Sequence, residues 1–326
     1  MKSPMMIKRL LKWIPTLLLF LLPLLIKEQY FIHFFTMILF YTSLGEAWNI
    51  IGGYAGQPFF GASAFLGIGA YTSTILYVHY NTSPWLGMFI GAIIACICAV
   101  LIGIPCFKLH GPFFALATLS FLIISERIAL SLRGLTGGAY GISIPLKGDS
   151  LIDFQFNLKT PYYYIALVFT LLIIFCVHRI ENSKLGLYLV ALREDEEAAN
   201  SIGINTLKYK LIAFIISAFI TAIFGTFYAQ FFRYIDPYSI LSVDLSFEII
   251  LIALFGGAGT LFGPIFGSLI LVSSSEFMQV TLGGKLPGLH LIIYGILVLL
   301  LMRFSPRGIL YGLKSLISRA PKHFKL

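Results

Sequence analysis

The sequence predicts an all-α fold, a polytopic bundle of transmembrane helices, and three observations lead there. Of the 326 residues, 58% are hydrophobic and 11% are charged, with a mean hydropathy of +0.91; soluble domains carry about 25% charged residues. The apolar residues fall into successive runs, many close to the ~20 residues that cross a bilayer as a helix. The basic residues behind the net charge of +9 gather at the two ends and in one loop, as topology signals do. Spans of this length fill the chain, so residues 1–326 read as a single transmembrane domain.

About ten spans are expected. The first runs from near Trp13 to Ile26, behind Lys2, Lys8, Arg9 and Lys12. Its basic start and apolar run resemble a signal peptide, but no small-residue cleavage site follows, so it reads as a retained anchor. The next four cover Tyr30 to Ile51, Phe59 to His79, Trp85 to Phe107 and Phe113 to Leu132. A polar outer loop from Arg133 to Thr160 leads to Tyr162 to Val177, and a basic loop over residues 179–208 leads to Tyr209 to Phe232. The remaining spans are Leu245 to Phe255, Leu261 to Met278 and Leu289 to Met302, ahead of Arg303, Arg307, Lys314, Arg319, Lys322 and Lys325. An even number of crossings places both termini and the 179–208 loop on the same, cytoplasmic, side.

Two stretches are irregular. Gly52 to Tyr71 (GGYAGQPFFGASAFLGIGAY) and Gly256 to Gly267 (GGAGTLFGPIFG) concentrate glycine and proline where a span begins, so broken or re-entrant helices are expected there. Such backbone is tolerated at membrane depth where it is buried in protein or lines a water-filled cavity. The alternative is close packing, because Gly259, Gly263 and Gly267 recur every four residues. Both readings stand at this point.

The cytoplasmic loop carries the only compact charged stretch. Ser183 suits the N-cap of a helix over Lys184 to Leu192. Glu194, Asp195, Glu196, Glu197, Ala198 and Ala199 suit a second short helix with acids at its positive end, and Gly203 a left-handed stop. A helix pair held between two spans transmits force if a soluble partner grips it; the plainer reading is a solvated amphipathic connector. Within the spans the ionisable residues are Glu46, Glu126, Arg127, Glu248 and Glu276, each costing about 2–3 kcal/mol or more if it faced lipid. Glu46, Asn49 and Gln57, with Tyr54 and Tyr71 in the same glycine-rich stretch and Glu126 farther on, are candidates to line a polar pathway. Glu126 and Arg127 lie about 100° apart on a helix and would pair with other helices. Glu248 and Glu276 lie near span ends, where headgroups are expected.

Several chemistries have no signal. There is no phosphate-cradling Gly-x-x-x-x-Gly-Lys-Ser/Thr; Gly283-Gly284-Lys285-Leu286 lacks both the first glycine and the hydroxyl. The six histidines, His33, His79, His110, His178, His290 and His323, are scattered without metal-ligand spacing. Cys96, Cys98, Cys106 and Cys176 lie in apolar runs and read as packing residues. No catalytic residue, metal or bound cofactor is expected, and no surface domain exists to bind nucleic acid. The intramembrane acids leave open an ion-coupled secondary transporter, which would use Glu46 and Glu126 directly.

Glu197-Ala198-Ala199-Asn200-Ser201-Ile202-Gly203 resembles the EAA-x-x-x-G coupling motif of ABC importer permeases. Its context from Gly186 to Lys210 is similar to the LivM family of branched-chain amino acid permeases, as are Asn49 to Tyr71, Gly111 to Phe121, Leu135 to Ile142 and GGAGTLFGPIFG. Five segments in order cover most of the chain from the second span onward. The resemblance implies an ABC importer permease in the bacterial or archaeal inner membrane, forming half of a pathway with a LivH-like second permease. It implies two cytosolic ATPase subunits that consume the ATP and an extracytoplasmic solute-binding protein. Arg193, Glu194, Asp195, Glu196, Glu197, Ala198, Ala199 and Gly203 would be the ATPase-coupling residues. The chain departs from the family pattern where it has Phe59 and Ala62 in place of an expected serine and histidine, and where charge falls at Glu126 and Arg127. Those departures bear on the solute, and related permeases are thought to carry urea or short amides.

Overall fold

The computed structural model describes residues 18–282 apart from 27, 110 and 111, together with 295 and 303. The start of the first expected span, the tenth span at Leu289 to Met302, both basic termini, the Gly283–Leu286 segment and His110, His290 and His323 lie outside the described residues.

The described chain is mostly helical. Residues 18–25 form α1, followed by α2 (Gln29–Trp48), α3 (Ala62–Tyr80), α4 (Pro84–Cys106) and α5 (Pro112–Ser131). A single turn, α6 (Arg133–Thr136), opens the outer loop, and α7 (Thr160–Glu181) closes it. Two short helices follow, α8 (Lys184–Glu194) and α9 (Glu196–Ser201), then the long α10 (Thr206–Phe232). The single turn α11 (Pro237–Ile240), α12 (Val243–Gly257) and α13 (Gly263–Leu282) complete the order. Two-residue strands β1 (Ile142–Ser143) and β2 (Tyr234–Ile235) pair antiparallel, Ile142 opposite Ile235, and tie the outer loop to the end of α10.

Among the described residues, five helices are long and apolar enough to cross a membrane: α4, α5, α7, α10 and the α11–α12 pair read as one stretch from Pro237 to Gly257. At 20 and 19 residues, α2 and α3 match them in length, but they carry the polar residues of the interior. The apolar runs and the helices agree to within a few residues. Each boundary has a local cause: Pro84 at the first turn of α4, Asn81 in the left-handed conformation after α3, and Arg233 likewise after α10.

Helix association inside a bilayer depends on close packing and internal hydrogen bonds rather than on hydrophobic transfer. Glycine therefore sets the core. A Cβ on Gly69 of α3 would overlap the Ala222 carbonyl of α10, and one on Gly225 of α10 would overlap the Leu66 carbonyl of α3. The backbones touch, and Thr226 Oγ1 donates to Gly69 O at 3.3 Å across the contact. On α4, Gly87, Gly91, Ala95, Ala99 and Gly103 are buried at four-residue spacing against α3 and α10, while Leu86, Ile93, Ile97 and Leu101 point outward. α2 is tied to its neighbours by hydroxyls: Thr42 meets Ser268 of α13 at 2.6 Å, and Ser43 meets Thr170 of α7 at 2.9 Å.

Two irregularities differ from a simple bundle. α2 ends in a π-helical segment, Asn49–Tyr54, before an open stretch to α3. The stretch from α11 to α12 is interrupted at Leu241 and Ser242: Ser242 accepts from the Leu245 N–H at 3.1 Å as a new N-cap, and its carbonyl accepts from Ser63 Oγ at 2.8 Å. In the second glycine-rich stretch the packing reading prevails for α13. A Cβ on Gly263 would overlap the Gly257 carbonyl, and one on Gly267 the Ile252 carbonyl, so both seat α13 against α12. Gly259, with φ 73°, is a turn residue instead.

Candidate functional site

α8 and α9 form a hook at one end of the bundle. The Ser183 hydroxyl caps α8 by accepting from the Gly186 N–H, and the Asp195 carboxylate caps α9 by accepting from the Ala198 N–H at 3.0 Å. At the other end of α9, Ile204 N–H donates to Ala199 O and Gly203 N–H to Asn200 O, with Gly203 at φ 88°. This paired closure is the Schellman arrangement, and it demands a residue free to adopt positive φ.

The charged residues of the hook divide between two directions. Glu194, Asp195, Glu197 and Ala198 are exposed, whereas Ala199 is buried. Glu196 turns back to pair with Lys210 on the first turns of α10. That lysine side chain is only 3% exposed, and its ammonium also lies 5.9 Å from the Phe107 ring centroid at the end of α4. Just beyond it, Phe214 packs edge-on against Phe59, Phe65 and Phe107, with centroids 5.0, 5.3 and 5.6 Å away. These contacts join α9 to α10 and, through Phe107, Phe59 and Phe65, to α4, the loop before α3 and α3 itself.

Arg193 is exposed overall, its side chain 35% accessible, but one edge of its guanidinium reaches into the bundle. Its Nη1 donates to Gly53 O at 3.2 Å in the π-helical end of α2, while Nε and Nη2 donate to Glu194 Oε1 at 3.2 and 2.8 Å. Beside it, Asn49 joins the same end of α2 to the α12–α13 turn, accepting from the Gly259 N–H at 2.7 Å and donating to Thr260 O at 3.0 Å. Three segments remote in sequence thus meet at one point: the hook, the broken end of α2 and the α12–α13 turn.

The candidate pathway residues do not form a single cluster. Glu46 is fully enclosed one turn before Asn49, and Tyr54 is buried at the end of the same segment. Gln57 is half-buried and donates to Ala55 O at 3.3 Å, folding onto its own loop. Tyr71 is buried in α3, and Glu126 is half-buried on α5. The partner helices expected for Glu126 and Arg127 are not found: among the described residues neither makes a salt bridge, and Arg127 is exposed. α5 keeps only Phe114, Thr118, Leu122 and Ala129 buried, so most of its surface is left uncovered. Glu248 also departs from expectation. It is half-buried and accepts from Tyr41 of α2 at 2.8 Å, a tie between helices in place of an unpartnered site at a span end.

Lys210 and Thr260 were given no role from the sequence, and Gly259 was noted for its four-residue spacing with Gly263 and Gly267, not for its bond to Asn49. Lys210 carried a signal, a lysine just inside an apolar run with acids nearby. The joining of Asn49 to Gly259 and Thr260 carried none, since the partners are some 210 positions apart. Among the described residues, no group of three or more His, Cys, Asp or Glu side chains could hold a metal ion.

A family model for the permease component of branched-chain amino acid transport systems matches residues 30–302. The high-affinity branched-chain amino acid transport system permease protein LivM of Escherichia coli strain K12 is 30% identical over 297 residues, covering 84% of this chain and 68% of that protein. LivM of Salmonella typhimurium is 29% identical over 298 residues, with the same two coverages. The permease protein LivH of Salmonella typhimurium is 26% identical over 285 residues, covering 83% of this chain and 91% of LivH.

Proposed function

This chain belongs to the family of branched-chain amino acid transport permease components, and from that membership we propose that it is one of two homologous permease subunits in an ATP-binding-cassette importer. The match over residues 30–302 carries the reading. Similarity to both LivM and LivH supports a paired pathway, in which this chain supplies the LivM-like half beside a LivH-like partner. The solute is leucine, isoleucine, valine or a close analogue, delivered by an extracytoplasmic binding protein. ATP is consumed by two cytosolic ATPase subunits and not by this chain.

In this reading ten spans cross the plasma membrane of a bacterium or archaeon, with both termini and the α8–α9 hook in the cytoplasm. The outer face of the hook, Glu194, Asp195, Glu197 and Ala198, docks an ATPase subunit. Glu196, Ala199 and Gly203 hold the hook in shape. Closure of the ATPases on ATP moves the hook, and the cavity between the permeases opens alternately to each side.

The test uses the assembled complex in proteoliposomes. Glu197→Lys is expected to reduce ATPase capture and solute-stimulated ATP turnover at least about tenfold, the size of effect expected when charge is reversed in a docking face. Undiminished capture and turnover would remove the docking reading. Labelled leucine uptake that survives inactive ATPase subunits but collapses when an uncoupler is added would replace it with an ion-coupled mechanism.

A further inference from the structure

We infer that Arg193 is the positioning residue that carries movement of the α8–α9 hook into the broken end of α2 and the α12–α13 turn, and that it lies outside the ATPase-docking face. The inference rests on the docking reading above and specifies what happens behind that face.

Arg193 occupies a cradle made by two separate segments. Gly56, at φ 67°, lies so close that a Cβ there would stand 2.6 Å from Arg193 Cγ, and a Cβ on Gly259, at φ 73°, would overlap Arg193 Nη1. Both positions combine a left-handed backbone with lack of space, so each admits only glycine without rearrangement. The guanidinium is planar and rigid, and on its solvent side Nε and Nη2 both donate to Glu194 Oε1 while Nη1 donates to Gly53 O. A displacement of the end of α8 therefore moves a fixed fork, not a flexible point charge.

What the fork pushes on is the least regular turn of α2. π-Helical turns occur mostly as single-turn insertions in α-helices, frequently at functional sites. Gly53 sits in that segment, and a Cβ on it would overlap both Asn49 Oδ1 and the Gly259 N–H. Asn49 then clasps the α12–α13 turn from both its amide atoms. A shift at Gly53 thus cannot remain local: it reaches α2 through the π turn and α12 and α13 through Asn49.

Arg193→Gln and Gly259→Ala are compared with Glu197→Lys in the whole complex, after thermal unfolding in detergent shows that each variant is folded. Arg193→Gln is expected to capture the ATPase subunits in full while leucine uptake per ATP hydrolysed falls about tenfold, the magnitude of a typical coupling between sites. Arg193→Lys should restore part of the ratio, and Gly259→Ala, which fills the cradle from the other side, should lower it as Arg193→Gln does. Loss of ATPase capture in Arg193→Gln to the extent seen in Glu197→Lys would overturn the inference by putting Arg193 on the docking face. An unchanged uptake-to-ATP ratio in both Arg193→Gln and Gly259→Ala would overturn it as well. Full ATPase capture by Glu197→Lys would remove the docking reading itself, a result separable from either of these.

Discussion

Single residues hold the hook by two unlike means. Lys210 is buried beside the Phe107 ring and pairs with Glu196. Removing one partner of such a pair is costly because the other is left buried and uncompensated, whereas replacing both by apolar groups is far less so. Glu196→Ala should therefore destabilise by about 3 kcal/mol, the low end of the range for buried pairs since Glu196 is a third exposed. The double variant Glu196→Leu with Lys210→Met should recover most of that, as read by thermal unfolding in detergent. Gly203 acts through the backbone alone: nothing lies within 4 Å of where its Cβ would be. Gly203→Ala should cost about 1 kcal/mol from the left-handed conformation, seen as faster amide exchange over residues 196–204 with no change in helices beyond. The glycine stop and the Ser183 cap were legible in the sequence, because capping chemistry is written in residues three or four positions apart; the start of the second helix was not, since Glu194 ends α8 and Asp195 is the cap of α9. The inward contacts of Arg193 and Glu196 were not, because which face of a short helix is covered depends on chains that arrive from elsewhere.

Among whole elements, the closest contact is the crossing of α3 and α10. Its cause is two glycines that interlock with the opposite backbone, which leaves no route for a side chain to bend away. Gly225→Leu should force the helices apart at a cost of at least the 1–3 kcal/mol of an overpacked core, and melt the protein several degrees lower. Gly134→Ala, at an exposed site with nothing within 4 Å, is the matched control and should leave the melting temperature unchanged. Helix positions were readable to within a few residues because proline, glycine and charge punctuate the apolar runs. Irregular backbone from Gly52 was expected from its glycines, but its π form from Asn49 and the break at Leu241 were not. Both depend on tertiary ties, Asn49 to the α12–α13 turn and Ser63 to Ser242, that no periodicity encodes.

For the molecule as a whole, the order of helices sets a sidedness that labelling can read. α2, α4 and α7 run toward the hook, and α3 and α10 run away from it to the end that bears β1 and β2. In a background lacking Cys96, Cys98, Cys106 and Cys176, Asn200→Cys and Tyr140→Cys place single thiols on exposed sites at opposite ends. A membrane-impermeant thiol reagent added to intact cells is expected to modify Tyr140→Cys and to reach Asn200→Cys only after lysis. Equal labelling of both in intact cells would exclude the topology. The general architecture was open to sequence reasoning because a bilayer allows so few ways of satisfying a backbone. The location of the solute was not, since Glu46, Tyr71 and Glu126 are distributed over separate helices and α5 leaves its outer face bare.

At the end opposite the hook, Phe154 is wholly enclosed in the left-handed conformation, at φ 52°, its ring stacked 4.5 Å from Trp85 and within 6.1 Å of Phe227. Trp85 belongs to α4, made before it, but Phe227 belongs to α10, made some seventy residues later. The loop can therefore meet only part of its resting place when it leaves the ribosome, and must wait for α10 to be inserted before its last contact can form. Truncated nascent chains that stop short of Phe227 should keep this loop open to protease, which makes its closure a late step in biogenesis rather than an early one.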